Sequence, residues 1–344
     1  MRAEDARDNL ILFDWFSFTT TKFSVDELIS FTGLSNCDFV TSLKGARGYR
    51  RKYYFDGINI HFDGREDMGV WFEMSGQGCR VFEEHSSLSW AQLFTFVLQH
   101  GCHITRLDVA YDDHTGVLPL DDIVSDIMAD HYVSKKAGVM IDLDIKDHIR
   151  NGYTVSVGKA TDFMIRIYDK AKERGIDDLA VHWVRCEFQL RDDKALTFLQ
   201  AVGPQLDQEP IGEVFAGVLN NYFRLVSPSN DSNRWRWSMI PYWENFVRDA
   251  QRVSLYTKLE TEYNAARACA FVFNQAGNAI DAIVKGIGRD AFFQQLSNRK
   301  VANNPKYSAV TAELKAIELE RAKAAINLAA EREYRRIADN ELDM

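Results

Sequence analysis

The sequence predicts an α+β fold: an antiparallel sheet with helices packed on one face and an open polar face, followed by a mainly helical C-terminal region. Three observations carry that expectation. Strand-like segments in the first two-thirds alternate apolar and polar residues, and Asp56-Gly57 and Asp63-Gly64 are hairpin signals between neighbouring segments. Beyond residue 192 the pattern turns helical.

Strands are expected at 11–18, 52–56, 58–63, 70–75, 104–111, 154–158, 163–169 and 183–190, all rich in β-branched and aromatic residues. Successive side chains point to opposite faces of a strand, so alternation divides each segment. In 58–63, Ile58, Ile60 and Phe62 oppose Asn59, His61 and Asp63; in 70–75, Val70, Phe72 and Met74 oppose Glu73 and Ser75. Leu107 and Val109 oppose Arg106 and Asp108. Ile165 and Ile167 oppose Arg166 and Tyr168, with Lys170 continuing that face, while Cys186 and Phe188 oppose Arg185, Glu187 and Gln189.

Helices are expected at 25–32, opened by the capping box Ser24-x-x-Glu27 and closed by Gly33, from Ser89 to Gly101, and after Pro119. Further helices fit 194–202, 211–223, 241–252, 257–285 and 306–340, the last a packing helix or a partner-binding one. A domain boundary is expected within 225–260, since 227–233 is turn-like while the aromatic-rich segment after it reads as packed; placed at 225, it divides an α+β domain over 1–225 from a helical region over 226–344.

Composition excludes several classes. No apolar run approaches the ~18 residues of a membrane span, and the charged start breaks its apolar run at Asp14, unlike a secretory signal. Five cysteines without a Cys-x-x-Cys pair indicate neither a disulfide framework nor a zinc cage, which places the chain in a reducing cytoplasm. No phosphate-binding Gly-x4-Gly-Lys-Ser/Thr, no Gly-x-Ser-x-Gly and no paired-histidine motif occurs. With 41 basic and 50 acidic residues the net charge is −9, which argues against a non-specific polycation on nucleic acid. Residues 44–54 nevertheless hold five basic side chains, no acid and three tyrosines. Arg47, Arg50, Arg51 and Lys52 are candidates for phosphate contacts, and Tyr49, Tyr53 or Tyr54 for stacking on unpaired bases. The competing assignment is solvated surface.

The polar strand faces carry the candidate chemistry. Glu73, Asp108 and Glu187, with Asp14 less clearly placed between apolar neighbours, offer hard oxygen ligands suited to Mg²⁺ or Mn²⁺. The alternative is a ladder in which each acid pairs with Arg106, Arg166 or Arg185. Tyr168 lies between Arg166 and Lys170 at period-two spacing, so both cations are placed to stabilise a phenolate attacking a phosphate; a merely packed strand tyrosine is the rival. In residues 75–79, Ser-Gly-Gln-Gly-Cys, a tight turn is the simpler account than a phosphate-binding loop, and His61 is the one histidine on the polar face.

The segments 14–19, 73–80, 104–113, 165–170, 183–192 and 233–246, in this order and spacing, resemble the replication initiation factor (Rep-trans) family. That family comprises rolling-circle initiators of plasmids and filamentous phages, and related relaxases of conjugative elements. The resemblance covers about residues 10–250 and implies an origin-binding, strand-specific DNA endonuclease that forms a 5′-phosphotyrosine link with Mg²⁺ or Mn²⁺. Tyr168 matches the family's Tyr-x-Lys tyrosine, Asp108 the acid of its Arg-x-Asp strand and Glu187 that of its Arg-x-Glu strand. Glu73, before the Ser-Gly-x-Gly turn, is carried over less securely. Expected partners are origin DNA, double- and single-stranded, a host helicase and a second copy of the chain, because completing a replication round needs a second cleavage. The rivals are a conjugative relaxase, a non-catalytic DNA-binding regulator on this scaffold, and a hydrolytic phosphodiesterase using water.

Overall fold

Alternating side chains assemble one large antiparallel sheet in the computed structural model. The structure describes residues 8–146, 149–176, 178, 181–203, 206, 211–253, 269, 272, 277–298, 311–312, 314–316 and 318. Its strands are β1 (Leu10–Thr20), β2 (Val40–Ser42), β3 (Arg51–Phe55), β4 (Ile58–Phe62), β5 (Val70–Met74), β6 (His103–Asp113), β8 (Val139–Lys146), β9 (Ile149–Lys159), β10 (Phe163–Asp169) and β11 (Val184–Leu190). They lie in the order β2-β3-β4-β5-β1-β6-β11-β10-β9-β8. A separate two-stranded sheet pairs β7 (Tyr132–Ser134) with β12 (Phe223–Leu225).

The apolar face of the large sheet is covered by helices. These include α1 (Val25–Phe31), α2 (Gly76–His85), α3 (Trp90–Gln99) and α4 (Leu120–Met128). A four-residue helix, α5 (Lys170–Glu173), follows β10, and then come α6 (Asp192–Val202), α7 (Ile211–Tyr222) and α8 (Pro241–Ala250). Ser24 and Ser89 each close the expected capping box, on Glu27 and Gln92. Phe13 meets Trp90 and Phe94 at ring separations of 4.9 and 5.0 Å, and Phe188 stacks on Phe215 at 4.2 Å, so α3 and α7 dock through aromatic contacts. Tyr111 projects from β6 into the same core and donates its hydroxyl to Asp249 of α8 at 2.5 Å.

Several expectations shift. Asp56 and Gly57 do make a two-residue turn, both at positive φ. Asp63-Gly64 does not: β4 and β5 are joined by residues 63–69. Residues 75–79 open α2, with Ser75 as its N-cap, instead of forming a free turn. A Cβ on Gly78 would stand 2.3 Å from the Gly57 carbonyl, so these glycines let the hairpin turn press against the first turn of the helix. Lys170 does not continue β10; it starts α5 behind the Asp169 cap. The chain divides at residue 258, at the far end of the expected 225–260 window, because Trp243, Phe246 and Val247 of α8 join the core. The second unit, residues 259–344, contains helices Gly277–Ile287 and Arg289–Ser297. Most of the expected helices at 257–285 and 306–340 lies outside the described residues.

Phe13 is fully buried between two aromatic rings. Phe13→Ala should lower unfolding free energy by about 3–5 kcal/mol in urea titrations, through lost transfer energy and the cavity left behind.

Candidate active site on the polar face

The strand registers place the polar side chains in one row. Arg166 lies opposite Glu187 and Tyr168 opposite Arg185 between β10 and β11; across β11, Gln189 faces Asp108 and Arg185 faces Asp112 of β6. Tyr168, Asp108 and Glu187 are therefore brought together on adjacent strands. The Tyr168 hydroxyl donates to Glu187 Oε2 at 2.9 Å, and Arg166 Nη2 approaches Glu187 Oε1 at 3.1 Å. The Arg166 guanidinium lies 4.9 Å from the Tyr168 ring centre and Lys170 Nζ 5.6 Å from it. Although it starts a helix, Lys170 keeps its ammonium beside the phenol, where it also pairs with Glu173.

This face is polar but dry at its centre: Asp108 and Glu187 are each 3 % exposed, Arg185 2 % and Tyr168 5 %. Removing charge from water requires compensation, and each charged group here has a partner. Arg106 grips Asp108 through two bonds of 2.8 and 2.5 Å while stacking 4.2 Å over Trp15. Arg185 holds Asp112 through bonds of 2.5 and 2.7 Å and reaches Asp14 at 2.6 Å. Burial pushes the Asp108 carboxyl up to about 6 despite Arg106, and the charges of Glu187 and Asp14 push the same way. Burial, with Glu187 adding to it, also raises the Tyr168 phenol well above its ordinary value, against the pull of Arg185 and Arg166.

The expected three-carboxylate set is not assembled. Glu73 lies on β5, opposite Ser17 of β1, and Ser17 in turn faces Arg106 of β6. Glu73 is thus two strand spacings, about 10 Å, from the strand of Asp108. Among the described residues no three Asp, Glu, His or Cys side chains form a metal-holding group. Asp14 is the acid that joins Asp108 and Glu187 electrostatically. It does so because β1 bulges there: the register slips between Phe13 and Trp15, so Phe13 and Phe16 both enter the core. Period-two reading could not place it, since a bulge inserts one residue. The Arg185–Asp112 pair was likewise missed as a unit; the adjacent acids Asp112 and Asp113 at the end of β6 were the available signal.

The basic island divides. Arg47 stacks 5.2 Å from Trp71, and Lys52 bonds Asn59 at 2.7 Å and approaches Tyr54, so both face the polar surface. Together with Arg106 and Arg191 they surround Glu73, whose carboxyl is raised by burial against their opposing pull. Arg50 and Arg51 instead both pair with Asp63, with Arg51 packed on Phe62. Tyr49 is not available to bases: it is buried, donates to the Met68 carbonyl at 3.0 Å and lies near His61 and Trp71. Tyr53 packs against the core, whereas Tyr54 is exposed. His61 stacks on Trp71 at 4.4 Å, and burial, with Lys52 and Arg47 nearby, lowers it to about 4, so it is neutral at pH 7.

Comparison with known proteins adds to this geometry. The family description "replication initiation factor" matches residues 102–298, and the N-terminal domain of rolling circle replication initiation proteins matches residues 10–97. Over 264 residues the chain is 27 % identical to a Bacillus subtilis (strain 168) protein provisionally named DNA relaxase NicK, covering 73 % of this chain and 74 % of that one. The solved structure of a rolling circle replication initiator protein from Geobacillus stearothermophilus is 30 % identical with a TM-score of 0.67, covering 73 % of this chain and all 100 % of that one.

The raised Asp108 value has a thermodynamic consequence. Between the ordinary carboxyl value of 3.8 and about 6, the folded chain holds this proton and the unfolded chain does not. The contribution of Asp108 therefore stabilises the fold as pH falls through that window and is lost as pH rises. Carboxyl NMR titration should place Asp108 near 6, and Asp108→Asn should remove that component from the pH dependence of unfolding.

Proposed function

Because this chain belongs to the replication initiation factor family, whose match spans more than half of it, we propose that it is a rolling-circle initiator: an origin-binding endonuclease that cuts one DNA strand by transesterification. The observation that carries this reading is the hydrogen bond from the Tyr168 hydroxyl to Glu187, with Arg166 and Lys170 beside the ring. A phenol whose proton is held tightly by burial is a poor nucleophile until a base accepts that proton. Glu187 Oε2 is the acceptor already in contact. The Tyr168 oxygen then forms a bond to the scissile phosphorus and the bond to the 3′ oxygen breaks. The 3′ oxygen takes up a proton and leaves as a hydroxyl, while the 5′ phosphate stays on Tyr168. Arg166 and Lys170 offset negative charge on the phenolate and the phosphate. The phosphotyrosine ester keeps the energy of the cut bond available for rejoining.

Two of the three expected acids stay together, and they are the ones that would hold Mg²⁺ or Mn²⁺. Asp108 and Glu187 would supply its hard oxygens from neighbouring strands, and the charge of Asp14 adds to the burial that raises Asp108. Such an ion supplies Lewis-acid polarisation of the phosphate when bound. Arg47 and Lys52, exposed to the same face, guide the strand backbone toward Tyr168. With one such tyrosine among the described residues, a second copy supplies the second cleavage and a host helicase opens the duplex. The chain works in the cytoplasm; no described helix is long and apolar enough to cross a membrane. A conjugative relaxase would use the same chemistry on the origin of a transferred element.

The test is incubation with supercoiled plasmid carrying the DNA that flanks this chain's own reading frame, with Mn²⁺ or a chelator, followed by denaturing gels. Wild type should yield nicked circles and a covalent protein–DNA adduct. Tyr168→Phe should yield no adduct while losing only about 1 kcal/mol of stability, and Glu187→Gln should slow nicking about 10²- to 10⁴-fold. An adduct formed by Tyr168→Phe would sink the assignment, and nicked product without an adduct would point to hydrolysis by water.

A further inference from the structure

β5 pairs with β1 only over Phe16–Thr20, so residues 10–14 of β1 have β6 on one side and no strand on the other. The gap is a notch of about 930 Å³, within the range of small-molecule sites. Its inner wall is the Arg185–Asp14–Asp112 cluster, with Arg185 and Asp112 buried, and Arg185 is the ladder partner of Tyr168. The notch therefore begins one side chain away from the phenol. A Cβ on Gly76 would stand 2.6 Å from Asp14 Oδ1, so the first turn of α2 closes the opposite wall against the same carboxylate.

The outer wall is chemically different. Arg174 and Arg252 line it, both exposed, and among the described residues neither has an acidic partner. Trp183 lines it too, half-buried, with His114 at 5.4 Å on one side. Its indole N–H is shielded from solvent and has no acceptor among the described residues. Trp15 and Trp71, the other tryptophans of this face, already carry Arg106 and Arg47 over their rings; Trp183 carries no cation among the described residues.

Two cations at the rim, an aromatic plane with an unused donor, and acids at the floor are what a nucleotide requires: phosphate contacts, a stacking partner and hydrogen-bond groups for a base edge. We propose that this notch holds one nucleotide of the single strand being cut, the one adjoining the scissile phosphate, with its base against Trp183 and its phosphate between Arg174 and Arg252. This rests on Tyr168 being the nucleophile, and it identifies where the strand goes beyond the point of cutting.

The test is ¹⁹F NMR of the full chain labelled with 5-fluorotryptophan, with Trp183→Phe assigning the Trp183 signal, titrated with a ten-residue oligo(dT) and separately with dTMP. The Trp183 signal should shift with the oligonucleotide, and Arg174→Ala/Arg252→Ala should weaken that binding about tenfold. Because both arginines are exposed, the double variant should fold normally. A stationary Trp183 signal at saturating oligonucleotide, unchanged affinity of the double variant, or dTMP binding as tightly as the oligonucleotide would each overturn the proposal. The nicking assay separates the two readings. An adduct with a stationary Trp183 signal removes the notch alone, whereas a Trp183 shift without any adduct removes the nicking premise and leaves a single-strand site.

Discussion

The structure depends on keeping ionised groups out of water in the middle of a sheet. Arg185, Asp108 and Glu187 are almost wholly buried, and each is tolerated because a neighbour carries the opposite charge: Asp112 and Arg166 across the ladder for Arg185 and Glu187, and Arg106 two residues along the same strand for Asp108. Removing one partner of such a pair leaves an uncompensated buried charge, which costs about 3–5 kcal/mol. That penalty holds the side chains in one arrangement. The Tyr168 hydroxyl and the acid that accepts from it are thus fixed relative to each other by the same pairs.

A single backbone irregularity extends this arrangement sideways. The bulge in β1 lets Phe13 and Phe16 both enter the core while Asp14 reaches Arg185 and Trp15 lies under Arg106. Without the extra residue, Phe16 and Phe13 would point to opposite faces and Arg185 would keep Asp112 alone. The same bulge lies where β1 runs past the end of β5, so the acid paired with Arg185 also borders the notch. Local backbone geometry, core packing and the electrostatics of the site are coupled at this position.

Charge separation across the sheet also sorts the cations. Arg50 and Arg51 are held by Asp63 at the turn, while Arg47 and Lys52 face the polar surface. With Arg106 and Arg191 they give that surface a local positive field around Glu73, although the chain as a whole is acidic. The net charge of −9 therefore says little about the local charge of this face.

The fold class, eight of the strands, the capping boxes at Ser24 and Ser89, and the polar face carrying Tyr168, Asp108 and Glu187 were legible in the sequence alone. Each rests on side-chain periodicity or on a short-range hydrogen bond, which act within a few residues. Helix α2 was hidden by Gly76 and Gly78, which make room for Asp14 of β1 and for the turn at Gly57, both far away along the chain. Only the tertiary structure decided that Glu73 is separated from Asp108 by β1, that Asp14 lies close enough to raise the Asp108 carboxyl, and that Tyr49 is buried against Trp71. Which strands become neighbours, and where one of them bulges, is set by long-range packing of the core, and periodicity along one strand carries no record of it.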